Sequence, residues 1–171
     1  VPLPWGALEP CGLLWMLLAN GSALNQRGYT AAEDFARLVL KSTDPGAPLL
    51  VWTDDAIAGT LYLRLVRGEG RDRRIVSGVF LGEAWYQKVV REQYGLKTPD
   101  VSDGGARMKG LSWEFFLSTA FANENAGPGR PVFTEHKPDP RYLRPELTVL
   151  PAGLFWKVMD SSEAALDLRY W

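Results

Sequence analysis

The chain has 171 residues, of which 46% are hydrophobic and 23% are charged, the proportions of a folded globular protein rather than a disordered one. Its 19 basic and 20 acidic residues give a formal net charge of −1, which excludes nucleic-acid binding through bulk positive charge. A single Cys and a single His exclude an internal disulfide, a cysteine-rich zinc site and any mechanism that needs two imidazoles. This length predicts one domain over residues 1–171, with a helical preface over 1–48 and a mainly β core over 49–171.

The preface contains two predicted helices. Residues 11–19 are apolar on nearly every side, which predicts a central core helix that is too short to span a membrane. Thr30 and Glu33 have the spacing of a capping box, and apolar residues recur at helical spacing as far as Lys41. The proline- and glycine-rich segment that follows predicts a break before the β core.

From residue 49 onward the pattern favours strands. Residues 61–67 (LYLRLVR) alternate between two largely apolar faces, so at least one of Arg64 and Arg67 is expected to point toward protein and to meet an anion. Residues 74–82 predict a further strand. Residues 83–94 predict an amphipathic helix that ends at a glycine.

A loop over residues 97–109 leads into an aromatic stretch. The apolar run 111–117 predicts a buried strand that ends in Ser118 and Thr119. Three shorter strands are predicted afterwards, one over residues 131–136 and two within 147–160. Helices first and then mostly strands, with one intervening helix, predict an α+β fold.

Three separated motifs resemble those of mono-ADP-ribosyltransferases. A strand that ends in Arg-Gly (LYLRLVRG), an aromatic strand that ends in Ser-Thr (WEFFLSTAF) and a Glu before a hydrophobic strand (RPELTVLPAGLFWKVM) follow the order of that family's arginine, Ser-Thr-Ser and glutamate motifs. The family binds NAD in a cleft between two packed small sheets. The resemblance therefore implies N-terminal helices packed on two small, mostly antiparallel sheets that form a cleft, with residues 49–171 as a catalytic-type core.

The resemblance implies a role for each motif. Arg67, or Arg64 as its competitor, would hold the NAD phosphates, because a planar guanidinium pairs with them at two points. Ser118, followed by Thr119, would orient the catalytic glutamate and the nicotinamide ribose. Glu146 would stabilise the positive charge that develops as nicotinamide leaves.

Other side chains would complete such a site. Trp113 and Phe116 would supply an aromatic wall for nicotinamide. Tyr142, in the proline-rich loop 137–145, would contact the acceptor, an unknown protein or nucleic acid. NAD would be a substrate, and no metal is expected. A secreted toxin or effector domain that acts in a reducing cytosol is the setting that the family analogy favours.

Two positions depart from the family's pattern. Ala120 stands where the family has its last serine, and Arg144 stands two residues before Glu146, where the family often has Glu or Gln. Enzymes that modify arginine generally carry that upstream Glu, so its absence argues against arginine as the acceptor, or against activity. Glu135 is an alternative carboxylate that fits the pattern less well.

Two further hypotheses stay open. A non-catalytic interaction module, from a viral or secreted polyprotein, would dock a partner through a surface rich in the seven Trp residues. An RNA-processing enzyme would use the basic segment 67–74. His136 is predicted to be a strand-end side chain in solvent, since no G-x-S-x-G motif accompanies it.

Overall fold

A computed structural model describes residues 30–101 and 111–167, together with Trp15 and Met16, which are helical and exposed. The remainder of the helix predicted over residues 11–19, and residues 102–109 of the loop predicted over 97–109, lie outside the described residues. The chain divides into two compact units, Val1–Ala32 and Glu33–Trp171, and the sheet and its helices belong to the second.

Helices and strands alternate through the first half of the described chain. The second half contains a strand hairpin, which one last helix follows. The elements are α1 (Ala31–Lys41), β1 (Pro48–Val51), α2 (Asp54–Tyr62) with a π-helical turn (Leu63–Arg67), β2 (Arg74–Ser77), α3 (Ala84–Tyr94), α4 (Trp113–Asn125), β3 (Val132–Thr134), β4 (Leu147–Ala152), β5 (Phe155–Asp160) and α5 (Ser161–Asp167).

The described strands form one mixed sheet in the order β2-β1-β3-β5-β4. β1 pairs in parallel with β2 and β3, whereas β5 pairs antiparallel with β3 and β4. The helical connection between β1 and β2 returns the chain to the same end of the sheet, which makes these two strands parallel. The α+β class is confirmed. The expected pair of small, mostly antiparallel sheets is wrong for the described strands, which share a single sheet.

Both faces of the sheet are covered by helices. Leu50, Val76 and Val132 face one layer, where they pack with buried residues of α3 and α4. Leu49 and Ile75, one position away along their strands, face the opposite layer and pack with α1 and α2. Because successive strand residues point to opposite faces, a strand buried on both sides reads as a continuous apolar run, as PLLV of β1 does.

The strand predicted over residues 61–67 is wrong. These residues finish α2 and form the π-helical turn, which ends at Gly68 with a φ of 73°. Leu63 is fully buried, but Leu65 is 76% exposed, so the alternation in the sequence does not mark one buried face. Arg64 and Arg67 therefore lie on a helical surface rather than on a strand that lines a cleft.

The strand predicted over residues 111–119 is also wrong. Trp113–Asn125 is a helix, and Ser118 and Thr119 lie in its interior rather than at a strand end. Phe116, Leu117 and Phe121 are buried along it against the sheet. The β propensity of its aromatic residues is overridden by this packing, since propensity contributes less than burial of a core face.

The other local predictions are confirmed within small shifts of their ends. The helix after Thr30 runs to Lys41, and the helix before Gly95 ends with that glycine in the left-handed region at a φ of 63°. β1 begins one residue before the region in which strands are predicted from residue 49, β2 covers only residues 74–77 of the strand predicted over 74–82, and β3 lies within the strand predicted over 131–136. β4 and β5 form a hairpin across Gly153, whose φ is 61°.

Candidate functional site

The carboxyl ends of β1 and β3 form the part of the sheet where a ligand site is expected. The chain leaves β1 to form β2 on one side, and β3 later joins β1 on the other side, so the strand order reverses between β1 and β3. Ligands of sheets with parallel strands commonly bind outside the carboxyl ends at such a reversal. Trp52 and Thr53 follow β1, and Glu135 and His136 follow β3.

Glu135 links the two strand ends. Its Oε2 accepts a hydrogen bond from the Trp52 backbone N–H at 2.5 Å and from the Thr53 backbone N–H at 3.1 Å. Thr53 precedes α2 and makes no capping hydrogen bond with its own side chain. The carboxylate thus satisfies backbone donors beside a helix N-terminus, where a negative charge is favourable.

Removing this carboxylate should destabilise the fold. Glu135→Ala leaves two backbone N–H groups without their acceptor, and we expect the free energy of unfolding to fall by about 1.5–3 kcal/mol, the range for hydrogen bonds to a charged group. Glu135→Gln keeps one acceptor oxygen and should lose less. Urea unfolding of both variants measures the two losses of stability. Equal losses would contradict the assignment of the destabilisation to a missing acceptor oxygen.

His136 lies between two aromatic rings. Its ring centroid is 5.6 Å from that of Trp52 and 5.4 Å from that of Phe115. The Trp52 indole also donates from Nε1 to Ser118 Oγ at 3.3 Å. The expected solvent position of His136 is therefore only partly correct, because its ring is half-buried in this cluster at the end of β3.

A cavity of about 660 Å³ opens beside this cluster, and we call it the β3 cavity. It lies between the start of α4 and the proline-rich loop after β3. Its wall is apolar over most of its area, with a few polar groups at one side. It is lined by Leu111, Ser112, Phe115, Lys137, Pro138, Asp139, Pro140 and Arg141.

The polar side of the β3 cavity carries three charges. Arg141 and Asp139 pair through both carboxylate oxygens, with the Nη2 to Oδ2 distance at 2.6 Å. Lys137 has no carboxylate partner among the described residues, and its ammonium group lies 4.8 Å from the Trp156 ring centroid. Within the described ranges, Lys137 is therefore the cation in this wall that has no carboxylate beside it.

The loop that carries these charges is fixed to α4. Thr119 Oγ1 accepts a hydrogen bond from the Asp139 backbone N–H at 3.0 Å and donates to the Phe115 carbonyl at 2.7 Å. Hydrogen bonds from the Arg141 side chain and backbone hold the pKa of the Asp139 carboxyl below its usual range. The lowered pKa keeps the Asp139 carboxylate ionised beside Arg141, in a loop that the backbone bond to Thr119 ties to α4.

This pair predicts an acid-sensitive part of the stability. A carboxyl whose pKa is lowered by folding stabilises the native state at pH values above its unfolded pKa of about 3.9, and that contribution is lost as the pH falls through the lower folded value. The destabilisation caused by Asp139→Asn, measured by urea unfolding, should therefore shrink from pH 7 toward pH 3. A difference that stays constant over this range would contradict the assignment.

Arg67 and Arg64 have partners within the protein. Arg67 Nη2 lies 2.8 Å from Glu33 Oε1 of α1, and its guanidinium is 5.8 Å from the centroid of the Tyr62 ring. Arg64 Nη1 donates to the Tyr94 hydroxyl at 3.0 Å. The side chain of Arg67 is half-exposed and Arg64 is partly buried, and each would have to leave its partner to clamp a phosphate.

The predicted hydroxyl and aromatic groups of α4 serve mainly in packing. Ser118 and Thr119 are fully buried. Phe116 is buried, and Trp113 stacks on it with ring centroids 5.4 Å apart. Ser118 has no surface from which it could orient a bound dinucleotide in this structure.

Glu146 and Tyr142 lie on the loop before β4. The Glu146 carboxylate pairs with Arg144 at 3.4 Å and its side chain is 52% exposed. Tyr142 follows Arg141, whose guanidinium lies 5.6 Å from the centroid of its ring. Arg144 thus pairs with the carboxylate that the sequence predicts to be catalytic.

The predicted catalytic residues are not joined by contacts in the described part of the chain. Arg67 pairs with Glu33, Ser118 accepts from Trp52, and Glu146 pairs with Arg144. None of the three lines the β3 cavity. The structure instead brings the proline-rich loop, which was predicted to meet the acceptor, over that cavity.

No family model, curated protein or solved structure matches the chain. Its function is therefore argued from its own geometry. Within residues 30–101 and 111–167, no cluster of His, Cys, Asp and Glu has the arrangement of a metal site. No helix in the described ranges is long and apolar enough to cross a membrane.

Trp52 and Lys137 are not among the site residues that the sequence motifs predict. Trp52 directly follows the apolar run of β1, and Lys137 directly follows Glu135 and His136 after β3. The signal that locates them is a polar or aromatic residue at the carboxyl end of a short, wholly apolar strand. That signal has meaning only once β1 and β3 are known to be parallel neighbours.

Proposed function

We propose that the β3 cavity binds a small acidic ligand with a flat apolar part, a class that includes nucleotides. The observation that carries this proposal is the combination of an apolar wall with the ammonium group of Lys137 at the carboxyl end of β3, which pairs with no carboxylate of the described residues. Its volume of about 660 Å³ lies within the range of about 300–1,000 Å³ that is usual for small-molecule sites.

The apolar and charged groups of the cavity have separate roles in this proposal. Phe115 and Leu111 offer surface to a planar ring, and Lys137 offers a charge to a phosphate or carboxylate. Arg141 is held by Asp139, so it adds hydrogen-bonding groups but little net charge. Ser112 lies at the same wall, although its hydroxyl donates to Glu114 at 2.6 Å.

ADP-ribosyl transfer from NAD, which the resemblance predicts, stays a prediction. NAD belongs to the proposed ligand class, so binding in the β3 cavity would be consistent with it. The transfer reaction would also need a carboxylate near the reacting ribose, and Glu146, its predicted source, pairs with Arg144. Binding is therefore the better supported part of the proposal.

Calorimetry and thermal unfolding with NAD, ADP-ribose and AMP test the proposal. At least one of them should bind, and a ligand at 100 times its Kd would add about 2.7 kcal/mol to the free energy of unfolding. Lys137→Gln should weaken binding about tenfold or more, because it removes one charge-assisted contact. Lys88→Gln, which changes an exposed lysine of α3, should leave affinity unchanged.

The outcomes distinguish binding of a nucleotide in the β3 cavity from the ADP-ribosyl transfer reaction. Lack of binding by all three ligands at millimolar concentration would overturn the nucleotide-class site. Binding of AMP without binding of NAD would retain the site and remove the transferase prediction. Binding of NAD followed by nicotinamide release that Glu146→Ala abolishes would support the transferase.

A second candidate function is docking of a macromolecular partner. The turn after β2 is surrounded by exposed aromatic side chains, Phe80, Trp85 and Trp113, which are 45%, 58% and 44% exposed. Trp113 packs directly over Gly82 of that turn. If this surface binds a partner, replacing Trp85 and Trp113 by Ala should abolish the interaction and leave NAD binding unchanged.

A further inference from the structure

A second, smaller pocket lies at the open side of β2. It has a volume of about 270 Å³ and is enclosed by α2, β2 and α3, and we call it the β2-edge pocket. Ile57 and Ile75 form its inner wall, and Phe80 and Val89 form its outer wall. It shares no lining residue with the β3 cavity, so it is independent of the proposed function.

One polar atom in this apolar wall has no partner. Ser77, the last residue of β2, lines the pocket and is only 6% exposed, and its Oγ makes no hydrogen bond with the described residues. A buried hydroxyl without a partner costs free energy, and nearly all buried polar groups in folded proteins are satisfied. A ligand group that bonds to this hydroxyl would remove that cost.

Two tyrosines, Tyr86 and Tyr94, line the same pocket as Ser77. The Tyr86 hydroxyl accepts a hydrogen bond from the Ser77 backbone N–H at 2.8 Å. Burial raises the pKa of Tyr86, so its hydroxyl keeps its proton at neutral pH and remains a donor. The Tyr94 hydroxyl accepts a hydrogen bond from Arg64 Nη1, and the Arg64 guanidinium lies 5.7 Å from the centroid of the Tyr94 ring.

The remaining wall is suited to an aromatic ring. Phe80, Trp85 and Tyr86 form an aromatic cluster with ring centroids 5.4–5.9 Å apart, in tilted and edge-on arrangements. Offset and edge-on contacts are the favourable geometries between aromatic rings. The groups that face the pocket from Ser77 and Tyr86 are neutral hydroxyls, which favour an uncharged hydrogen-bonding group over a charged one.

We propose that the β2-edge pocket is a separate binding site for a small, uncharged aromatic molecule that carries one hydroxyl or carbonyl oxygen. The ring contacts Phe80 and Val89, and the oxygen bonds to the Tyr86 hydroxyl and, after a small shift of the side chains that cover it, to Ser77 Oγ, which has almost no exposed surface in the structure. Its volume, just below the usual range for drug-sized ligands, limits the occupant to one ring with a short substituent. The site recognises a phenol better than the corresponding hydrocarbon.

Phenol and toluene are matched probes for this site, because they differ mainly in the hydroxyl. Titrations followed by amide NMR should show saturable shifts at Ser77, Tyr86 and Val89 with phenol, and weaker binding of toluene. Ser77→Ala should weaken phenol binding about three- to tenfold, the effect of one neutral hydrogen bond, and leave toluene binding unchanged. This variant should fold normally, since removal of an unpartnered hydroxyl is nearly neutral or stabilising.

A substitution that fills the β2-edge pocket provides the second test. Val89→Phe places a ring in the space that the ligand would take, and it should abolish binding of both probes. Ser162→Ala changes an exposed hydroxyl on α5 and should alter neither. The proposal is overturned if phenol causes no saturable shift at these amides, or if Ser77→Ala weakens phenol and toluene equally.

Discussion

Replacement of Phe121 by Ala should lower the free energy of unfolding by about 3–5 kcal/mol. Phe121 is fully buried in α4 and belongs to the core between that helix and the sheet. Its truncation removes an aromatic ring from apolar surroundings and leaves a cavity that the neighbouring Leu117 and Val132 cannot fill without moving. Urea unfolding followed by circular dichroism measures the loss.

Glu124→Ala is the matched control on the same helix. Glu124 is about half-exposed, and its ion pair with Lys97 is long, at 4.0 Å. Exposed pairs of this kind contribute little, so the control should change stability by no more than about 0.5 kcal/mol. A Phe121→Ala variant that is no less stable than Glu124→Ala would contradict the placement of α4 against the sheet.

Replacement of Gly78 by Ala should also be strongly destabilising, by about 1–3 kcal/mol or more. A Cβ at Gly78 would overlap the indole ring of Trp52, with Cζ2 only 2.7 Å away. The indole is held in place by two contacts, because its Nε1 donates a hydrogen bond to the buried Ser118 and its ring packs against His136. The Gly78 backbone N–H also bonds to the Val51 carbonyl at 2.7 Å, which fixes its position beside β1.

Gly127→Ala provides the comparison for this substitution. A Cβ at Gly127 meets only the end of the flexible Arg130 side chain, at 3.4 Å, so its effect should stay near 0.5 kcal/mol. In a Trp52→Leu background, Gly78→Ala should lose much of its effect, because the obstructing ring is absent. Additive effects of the two changes would show that the overlap with Trp52 is not the cause.

Local signals in the sequence were sufficient for much of the secondary structure. The capping pattern at Thr30 and the glycine after Tyr94 each act within a few residues, and the helices that they delimit are confirmed. The two incorrect strand predictions, over residues 61–67 and 111–119, have another cause, which is the same for both. Aromatic and β-branched residues favour strands locally, but the length of α4 and its buried face are set by tertiary packing.

The candidate site could not be located in the same way. The predicted roles of Arg67 and Ser118 depended on strands that are helical in the structure. The groups that do meet, Trp52 and Glu135, are brought together by the parallel register of Leu50 with Thr134. Short strands that are apolar on both faces give no alternation from which such a register could be read.

The parallel centre of the sheet has a consequence for how the molecule folds. β4 and β5 are neighbours in sequence, so their pairing closes only one short turn. The pairing of β1 with β3 closes a long loop that contains the intervening helices. Long-range pairings pay their loop-closure entropy before their contacts are made, so they form slowly. We therefore expect the hairpin to form early in folding and the junction that carries Glu135 and Trp52 to form late.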